Sequence, residues 1–304
     1  MIKVSSAYHI PVLLHESIEG LNIKPEGVYV DVTFGGGGHS RAILEKLNSK
    51  GKLIAFDQDP DAVNNVPDDE RFELIEENFE FMKNFLRERG IKQVDGILAD
   101  LGVSSHQFDV PLRGFSIRFD APLDMRMNQK GSMTAAKLLN TYEEEQLSRL
   151  FWEFGDLKNS RAIARKIVQC RVDEKIKTVF QLKKELNDLA PRGKENQFFA
   201  KIFQALRIEV NRELEVLKLF LERATEILKK DGRLVVISYH SLEDRLVKNF
   251  IRSGSAGGKI EKDFYGNTIR PLKPLMSKAI QADDAEIKMN SRARSARLRI
   301  AEKI

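Results

Sequence analysis

Short apolar runs separated by polar turns dominate the first third of the chain. Residues 28–32 (Val-Tyr-Val-Asp-Val) are a β-branched run that stops in a glycine loop, which predicts a short buried strand. Apolar residues recur at Ile43, Leu44 and Leu47, which predicts a helix over 41–47 with Ser40 as its N-cap. Residues 53–56 predict a second strand and 71–75 a third. Phe81, Met82, Phe85 and Leu86 predict a helix that Gly90 closes, and 94–99 predict a fourth strand ending at Asp100. Strands alternating with helices imply parallel βαβ units and a sheet covered on both faces.

The rhythm then changes. Over 132–230 only helical patterns occur: 141–154; 160–171, with Ile163, Ile167 and Cys170 on one side; a segment capped by Thr178 that runs to Pro191-Arg192-Gly193; and one or two long helices over 197–230. Strand character returns at 233–239 after an Asp231-Gly232 turn, and the alternation over 292–300 predicts a final strand. The pattern is that of an α/β domain interrupted after its fourth strand by a mostly helical insertion, with boundaries placed at 1–108, 109–207 and 208–304.

Composition narrows this picture. The 304 residues are 42% hydrophobic and 31% charged, as in a folded globular protein rather than a disordered chain. No apolar run approaches the ~18 residues of a membrane span, the first residues lack an apolar signal-peptide core, and Cys170 is the only cysteine. A cytosolic protein without a disulfide framework or multi-thiolate zinc site is expected. Net charge is only +5, yet 245–304 hold fourteen Lys and Arg against six Asp and Glu. Such a segment suits a polyanionic partner, the alternative being a solvated basic face.

The candidate chemistry centres on Thr33-Phe34-Gly35-Gly36-Gly37-Gly38-His39-Ser40, between the first strand and the first helix. Four adjacent glycines carry an entropic cost that packing does not explain. They suit a ligand lying against the main chain at a helix N-terminus, outside a strand's carboxyl end. A P-loop requires a lysine where His39 stands, and from Gly35 the third glycine of a dinucleotide fingerprint falls on Ser40. A nucleoside without a pyrophosphate remains, and a bare turn is the alternative. Asp57 follows the second strand twenty residues beyond Gly37, where Rossmann-type sites accept hydrogen bonds from ribose hydroxyls. Its carboxylate disfavours a phosphorylated ribose; the alternative is a turn or cap, for which Asp59 competes. Asp100 ends the fourth strand and is placed to accept a hydrogen bond from a cofactor or substrate amine, or else to cap the next segment. None of the five histidines form an H-x-x-x-H pair, so no catalytic metal is expected.

Together these segments resemble the class I S-adenosylmethionine-dependent methyltransferases. Within them the chain is similar to the MraW family of small-subunit ribosomal RNA methyltransferases. The similarity runs in order through His9-Ile10-Pro11-Val12-Leu13-Leu14, the glycine loop, Asp57-Gln58-Asp59-Pro60, Asp100-Leu101-Gly102-Val103-Ser104-Ser105, Arg113-Gly114-Phe115-Ser116 and Pro122-Leu123-Asp124-Met125-Arg126-Met127. It continues with Phe203-Gln204-Ala205-Leu206-Arg207-Ile208, Gly232-Arg233-Leu234, His240-Ser241-Leu242-Glu243-Asp244-Arg245 and Arg292-Ala293-Arg294-Ser295. The chain departs from the pattern at His106, at 197–201 and at Ser291, which touches substrate contacts more than the cofactor loop.

The resemblance implies a doubly wound, mostly parallel, seven-stranded Rossmann-like sheet with an inserted helical domain. It also implies S-adenosylmethionine as cofactor and N4-methylation of a cytidine in the decoding region of 16S rRNA within the small ribosomal subunit. By the same resemblance Gly37, Gly38 and His39 line the cofactor pocket, Asp57 holds the ribose, Phe79 flanks the adenine, and Asp100 and Gln107 contact the cofactor. Asp100 is also the candidate acceptor for the reacting amine. A stacking aromatic is expected from Phe115 or Phe119, with Arg113, Arg118 and Arg126 beside them for phosphates; a surface loop is the alternative. Arg292, Arg294, Arg297 and Arg299 are further phosphate candidates, and His240 is a candidate base or a structural hydrogen-bonder. Rival readings are an amino-methyltransferase of another RNA or of DNA, a nicotinamide oxidoreductase, and a non-catalytic RNA-binding module. A homodimer stays open.

Overall fold

The computed structural model describes residues 11–304; His9-Ile10, which open the resemblance, lie outside them. Among the described residues, strands β1 (Val28–Asp31), β2 (Lys52–Phe56), β3 (Phe72–Ile75), β4 (Val94–Asp100), β5 (Leu228–Ser238), β6 (Leu272–Pro274) and β7 (Arg297–Lys303) form one sheet. Its order is β3-β2-β1-β4-β5-β7-β6. The pairs from β3 to β5 are parallel, and β7 lies antiparallel to both β5 and β6. This is the doubly wound, mostly parallel α/β fold, and the strand order turns back between β1 and β4, where such sheets hold ligands.

Helices α1 (Leu14–Leu21), α2 (Gly38–Lys46) and α3 (Met82–Glu88) alternate with the first strands. Then come α4 (Ser105–Asp109), α5 (Ala135–Thr141), α6 (Glu144–Glu153), α7 (Ser160–Asp173), α8 (Val179–Leu186) and α9 (Glu195–Val210). The chain returns to the sheet through α10 (Glu213–Ile227), and α11 (Ser241–Ser253) and α12 (Asp284–Met289) follow β5 and β6. Two compact units result: residues up to Gly102 together with those from Glu215, and Val103–Leu214.

In the sheet unit, Tyr29, Leu53, Leu98 and Val235 share a buried cluster with Leu13 and Leu21 beside and within α1 and Ile43 and Leu44 of α2. The intervening Val30, Ile54, Ile97 and Val236 are also fully buried, so both faces are covered and the strands read as continuous apolar runs. The helical unit has its own core, in which Leu147, Phe151, Ile163, Ile167, Phe199 and Ile202 meet.

Four local expectations are corrected. Helix α2 begins at Gly38 with Gly37 as N-cap, and Ser40 spends its hydroxyl on Asp31 instead of on the helix end. The helix expected over 141–154 breaks, because Tyr142 is extended and Glu143 with Gln146 forms a capping box that starts α6 afresh. The strand expected over 292–300 begins only at Arg297, because the Asn290 side chain takes the Arg292 N–H and winds Ser291–Ser295 into a 3₁₀ turn. Strand β5 begins at Leu228, before the Asp231-Gly232 turn. Asp231 is left-handed (φ 63°) within a register shift against β4, so the turn is a bulge inside the strand.

Candidate active site

The glycine loop joins β1 to α2 at the carboxyl edge of the sheet. Gly35 and Gly37 have φ of 49° and 73°, a region that side-chain-bearing residues enter at a cost. Gly38 is there for packing: a Cβ on it would stand 2.2 Å from Pro11 Cγ, whereas a Cβ on Gly36 would meet nothing within 4 Å. The expectation that no glycine of the four serves packing is therefore corrected at Gly38. Gly37 offers no side-chain cap to α2, so the first amides of the helix are presented to whatever lies beyond the loop.

Asp57 holds this loop. Its Oδ2 accepts the Gly35 N–H at 2.7 Å and its Oδ1 the Asp59 N–H at 2.8 Å. Each oxygen thus keeps lone-pair capacity for a diol. The turn duty belongs to Asp59, whose carboxylate caps the 3₁₀ turn Pro60–Asn65. Burial pushes the Asp57 carboxyl up to about 6, against those two N–H bonds and with help from the charges of Asp59 and Asp31. Next to Asp57, Gln58 accepts a 3.0 Å bond from Asn78 Nδ2. That bond ties the loop after β3 to the loop after β2 and sets Phe79 there. The Phe79 ring is partly buried and meets Phe220 edge to face, centroids 5.3 Å apart.

Asp100 ends β4 beside β1. Its amide donates to Thr33 Oγ1 at 2.6 Å, and its Oδ1 accepts the Tyr239 hydroxyl at 2.7 Å. Its Oδ2 lies 3.8 Å from Nδ1 of His39, beyond hydrogen-bond reach. Burial raises the Asp100 carboxyl to about 7; the Tyr239 bond opposes this, and the charges of Asp31 and Glu243 add to it. His39 is buried, with Nε2 3.2 Å from the Val12 carbonyl, and burial lowers it to about 4. At neutral pH the ring is uncharged. With its Nε2–H donated to that carbonyl, Nδ1 is an acceptor turned toward Asp100.

Three residues of this site were not singled out in the sequence. Asp31 is buried at the end of β1, accepts from Ser40 Oγ at 2.7 Å and from the Thr33 N–H at 3.1 Å, and burial raises its carboxyl. Thr33 bridges Asp31 to the Asp100 amide. Tyr239 follows β5 and reaches Asp100 from 139 residues away. An acid inside the apolar run Val30-Asp31-Val32 was the one available signal.

Asp31, Asp57 and Asp100 thus surround the loop, each raising or being raised by another. Arg41 is turned to the carbonyls of Gly36 and Asn65. Such a pocket repels phosphates and favours a cationic or hydroxyl-bearing ligand. A sulfonium nucleoside with a free ribose diol and an ammonium group fits it on all three counts.

Gln107 belongs to the helical unit, where it is buried and forms a capping box with Ser104. Phe115 is buried in that unit's core against Phe108, so its ring cannot stack on a base; Phe119 is 46% exposed. Arg113 is buried and donates to the carbonyls of Arg126 and Met127. Arg126 forms a bidentate pair with Asp124 and donates to the carbonyls of Gln129 and Gly131. Both bind their own fold, and Arg118 alone of the three is exposed. His240 is the half-buried N-cap of α11, bonded through Nδ1 to the Glu243 N–H, which is structural work. Arg299 forms a bidentate pair with Asp244, with Arg297 3.7 Å from the same carboxylate. No helix among the described residues is long and apolar enough to cross a membrane.

A doubly wound seven-stranded sheet, a glycine loop after β1, an acid after β2 and an acid after β4 define an S-adenosylmethionine-dependent methyltransferase. The chain belongs to the MraW methylase family, whose sequence profile matches residues 6–304. It is 61% identical over 297 residues to the ribosomal RNA small subunit methyltransferase H of Flavobacterium johnsoniae, covering 98% of each chain. It is 58% identical over 297 residues to the protein of that name from Christiangramia forsetii, again covering 98% of each. With the one from Bacteroides thetaiotaomicron the identity is 54% over 303 residues and the full length of both.

Proposed function

We propose that this protein transfers a methyl group from S-adenosylmethionine to N4 of a cytidine in the decoding region of 16S rRNA within the small ribosomal subunit. The observation that supports this most is the carboxylate of Asp100, placed where the strand order reverses, poised near neutral pH and oriented by Tyr239. The names of relatives more than half identical over the whole chain support the RNA substrate.

S-adenosylmethionine, when bound, supplies an electrophilic methyl group. In this reading Gly37, Gly38 and His39 line its pocket, Asp57 holds the ribose diol and Phe79 flanks the adenine. By the family resemblance Gln107 is a further cofactor contact. The cytosine N4 lone pair is delocalised into the ring, so the amine is a weak nucleophile. Asp100 accepts a hydrogen bond from an N4–H, which fixes the nitrogen in line with the methyl group and enriches it; positioning of this kind supplies several kcal/mol. The amine sheds a proton on methylation, and an acid near pH 7 is suited to take it and pass it to solvent. Neutral His39 keeps that carboxylate from being locked in an ion pair.

The test is incubation of the purified protein with methyl-labelled S-adenosylmethionine and small subunits, naked 16S rRNA or DNA, followed by nucleoside mass spectrometry. The expected product is N4-methylcytidine at one 16S position. Label confined to DNA, or on a carbon or ribose oxygen, contradicts the proposal.

A further inference from the structure

Far from the glycine loop, at the β6 edge of the sheet, two features lie side by side that the transfer chemistry does not use. The first is a hairpin. Lys262 bridges Thr268, the Ile269 N–H reaches the Glu261 carbonyl at 2.8 Å, and Gly266 (φ 84°) turns the tip. The Asp263 carboxylate accepts the backbone N–H groups of Tyr265 and Asn267, both at 2.9 Å, so the tip is held from within. That tip presents Phe264 and Tyr265 at 97% and 85% exposure, ring against ring at 5.7 Å. Two adjacent aromatics held almost wholly in water lose the burial their area would give, a cost that folding does not explain.

The second feature is a hollow of about 340 Å³ at the hairpin's foot, where Pro271 closes on Gly254 at the end of α11. Lys248 and Arg252 of α11, with Arg270 and Lys278, line it. Among the described residues none of these four makes an ion pair, whereas Arg299 on the same wall is matched by Asp244. Four unmatched cations around one concavity repel one another and attract a polyanion.

We propose that the hairpin and hollow form a second RNA-binding surface, where Phe264 and Tyr265 stack on unpaired bases and Lys248, Arg252, Arg270 and Lys278 take the phosphates beside them. Sequence-tolerant stacking platforms next to cationic grooves are the general means of holding single-stranded nucleic acid. The surface lies at the far end of the strand order from the cofactor loop, so it engages RNA at a distance from the reacting base. This inference rests on the reading of the substrate as ribosomal RNA.

The test compares the full-length protein with Phe264→Ala/Tyr265→Ala and Lys248→Ala/Arg252→Ala/Lys278→Ala, measuring affinity for small subunits and for naked 16S rRNA as a function of salt. Thermal midpoint and Kd for S-adenosylmethionine serve as controls for the fold, and both stay at the wild-type values. The aromatic variant is expected to bind RNA about tenfold or more weakly with an unchanged salt slope. The charge variant loses affinity with a slope shallower by about 0.7 for each phosphate contact removed. Wild-type RNA affinity in both variants overturns the inference alone, and so would loss of binding only to some protein of the subunit. A wild-type protein that holds neither small subunits nor 16S rRNA overturns the functional reading and this inference with it.

Discussion

The hydroxyl of Tyr239, just past β5, donates a 2.7 Å hydrogen bond to Oδ1 of Asp100 at the end of β4. The bond favours the ionised carboxylate and works against the burial that raises Asp100 to about 7. If the ionised form accepts the amine, methyl transfer rises with pH through a midpoint near 7. Tyr239→Phe is expected to move that midpoint upward and to slow turnover at neutral pH, with little change in S-adenosylmethionine affinity. A pH–rate profile under single-turnover conditions reads this, and an unmoved midpoint counts against the role given to Asp100.

Asp57 carries two duties, the bond to Gly35 and the proposed grip on the ribose. Asp57→Ala loses both and leaves the Gly35 N–H without its acceptor, which at a charge-assisted bond corresponds to roughly 1.5–3 kcal/mol. Calorimetry is expected to show S-adenosylmethionine binding weakened by at least tenfold, with Asp57→Asn intermediate.

The raised carboxyls also set a pH dependence of stability. Asp57 at about 6 and Asp100 at about 7 hold protons more tightly folded than unfolded, where both sit near 3.8. Their burial therefore costs stability above pH 7, and the cost disappears as pH falls through both values toward 4. The denaturant midpoint of the wild-type protein is expected to be lower at pH 8 than at pH 5.5. Asp100→Asn, which carries no charge, is expected to flatten that difference.

Cys170 donates its thiol to Glu185 Oε2 at 2.8 Å, and burial together with that carboxylate raises it to about 11. It is expected to react with iodoacetamide at pH 8 far more slowly than a free thiol. Glu185→Gln is expected to speed the alkylation.

Arg113 and Arg118 stand close in sequence and differ in kind. Arg113→Ala removes a buried guanidinium that holds two carbonyls, a loss of about 1–3 kcal/mol or more, and thermal unfolding is expected to fall accordingly. Arg118→Ala, on the surface, is expected to leave the midpoint within experimental scatter.

Much of this was legible in the sequence because local physics decides it. The runs over 28–32, 53–56 and 94–99 are too short and too apolar for anything but buried strands, and they lie as expected beside one another. Thr178 caps α8 as its spacing to Gln181 requires. Asp57 followed from its distance to the glycine loop, and the loop's position followed from the strand before it. What escaped depends on the third dimension. Nothing local tells that Tyr239 meets Asp100, or that Ser40 turns away from its helix end to a buried acid. Arg113 and Phe115 read as a phosphate contact and a stacking ring on a surface loop, yet both are buried in the helical unit. The residues over 292–300 alternate like a strand, but Asn290 captures the Arg292 amide and diverts the first part into a turn.

The most direct measurement is the structure of the protein with S-adenosylmethionine bound. The ribose hydroxyls are expected on the Asp57 carboxylate, the adenine against Phe79 and the methyl group facing the side of the pocket that Asp100 and Tyr239 close. A cofactor held at another edge of the sheet, or one lying over the glycine loop with Asp57 turned away, would contradict it.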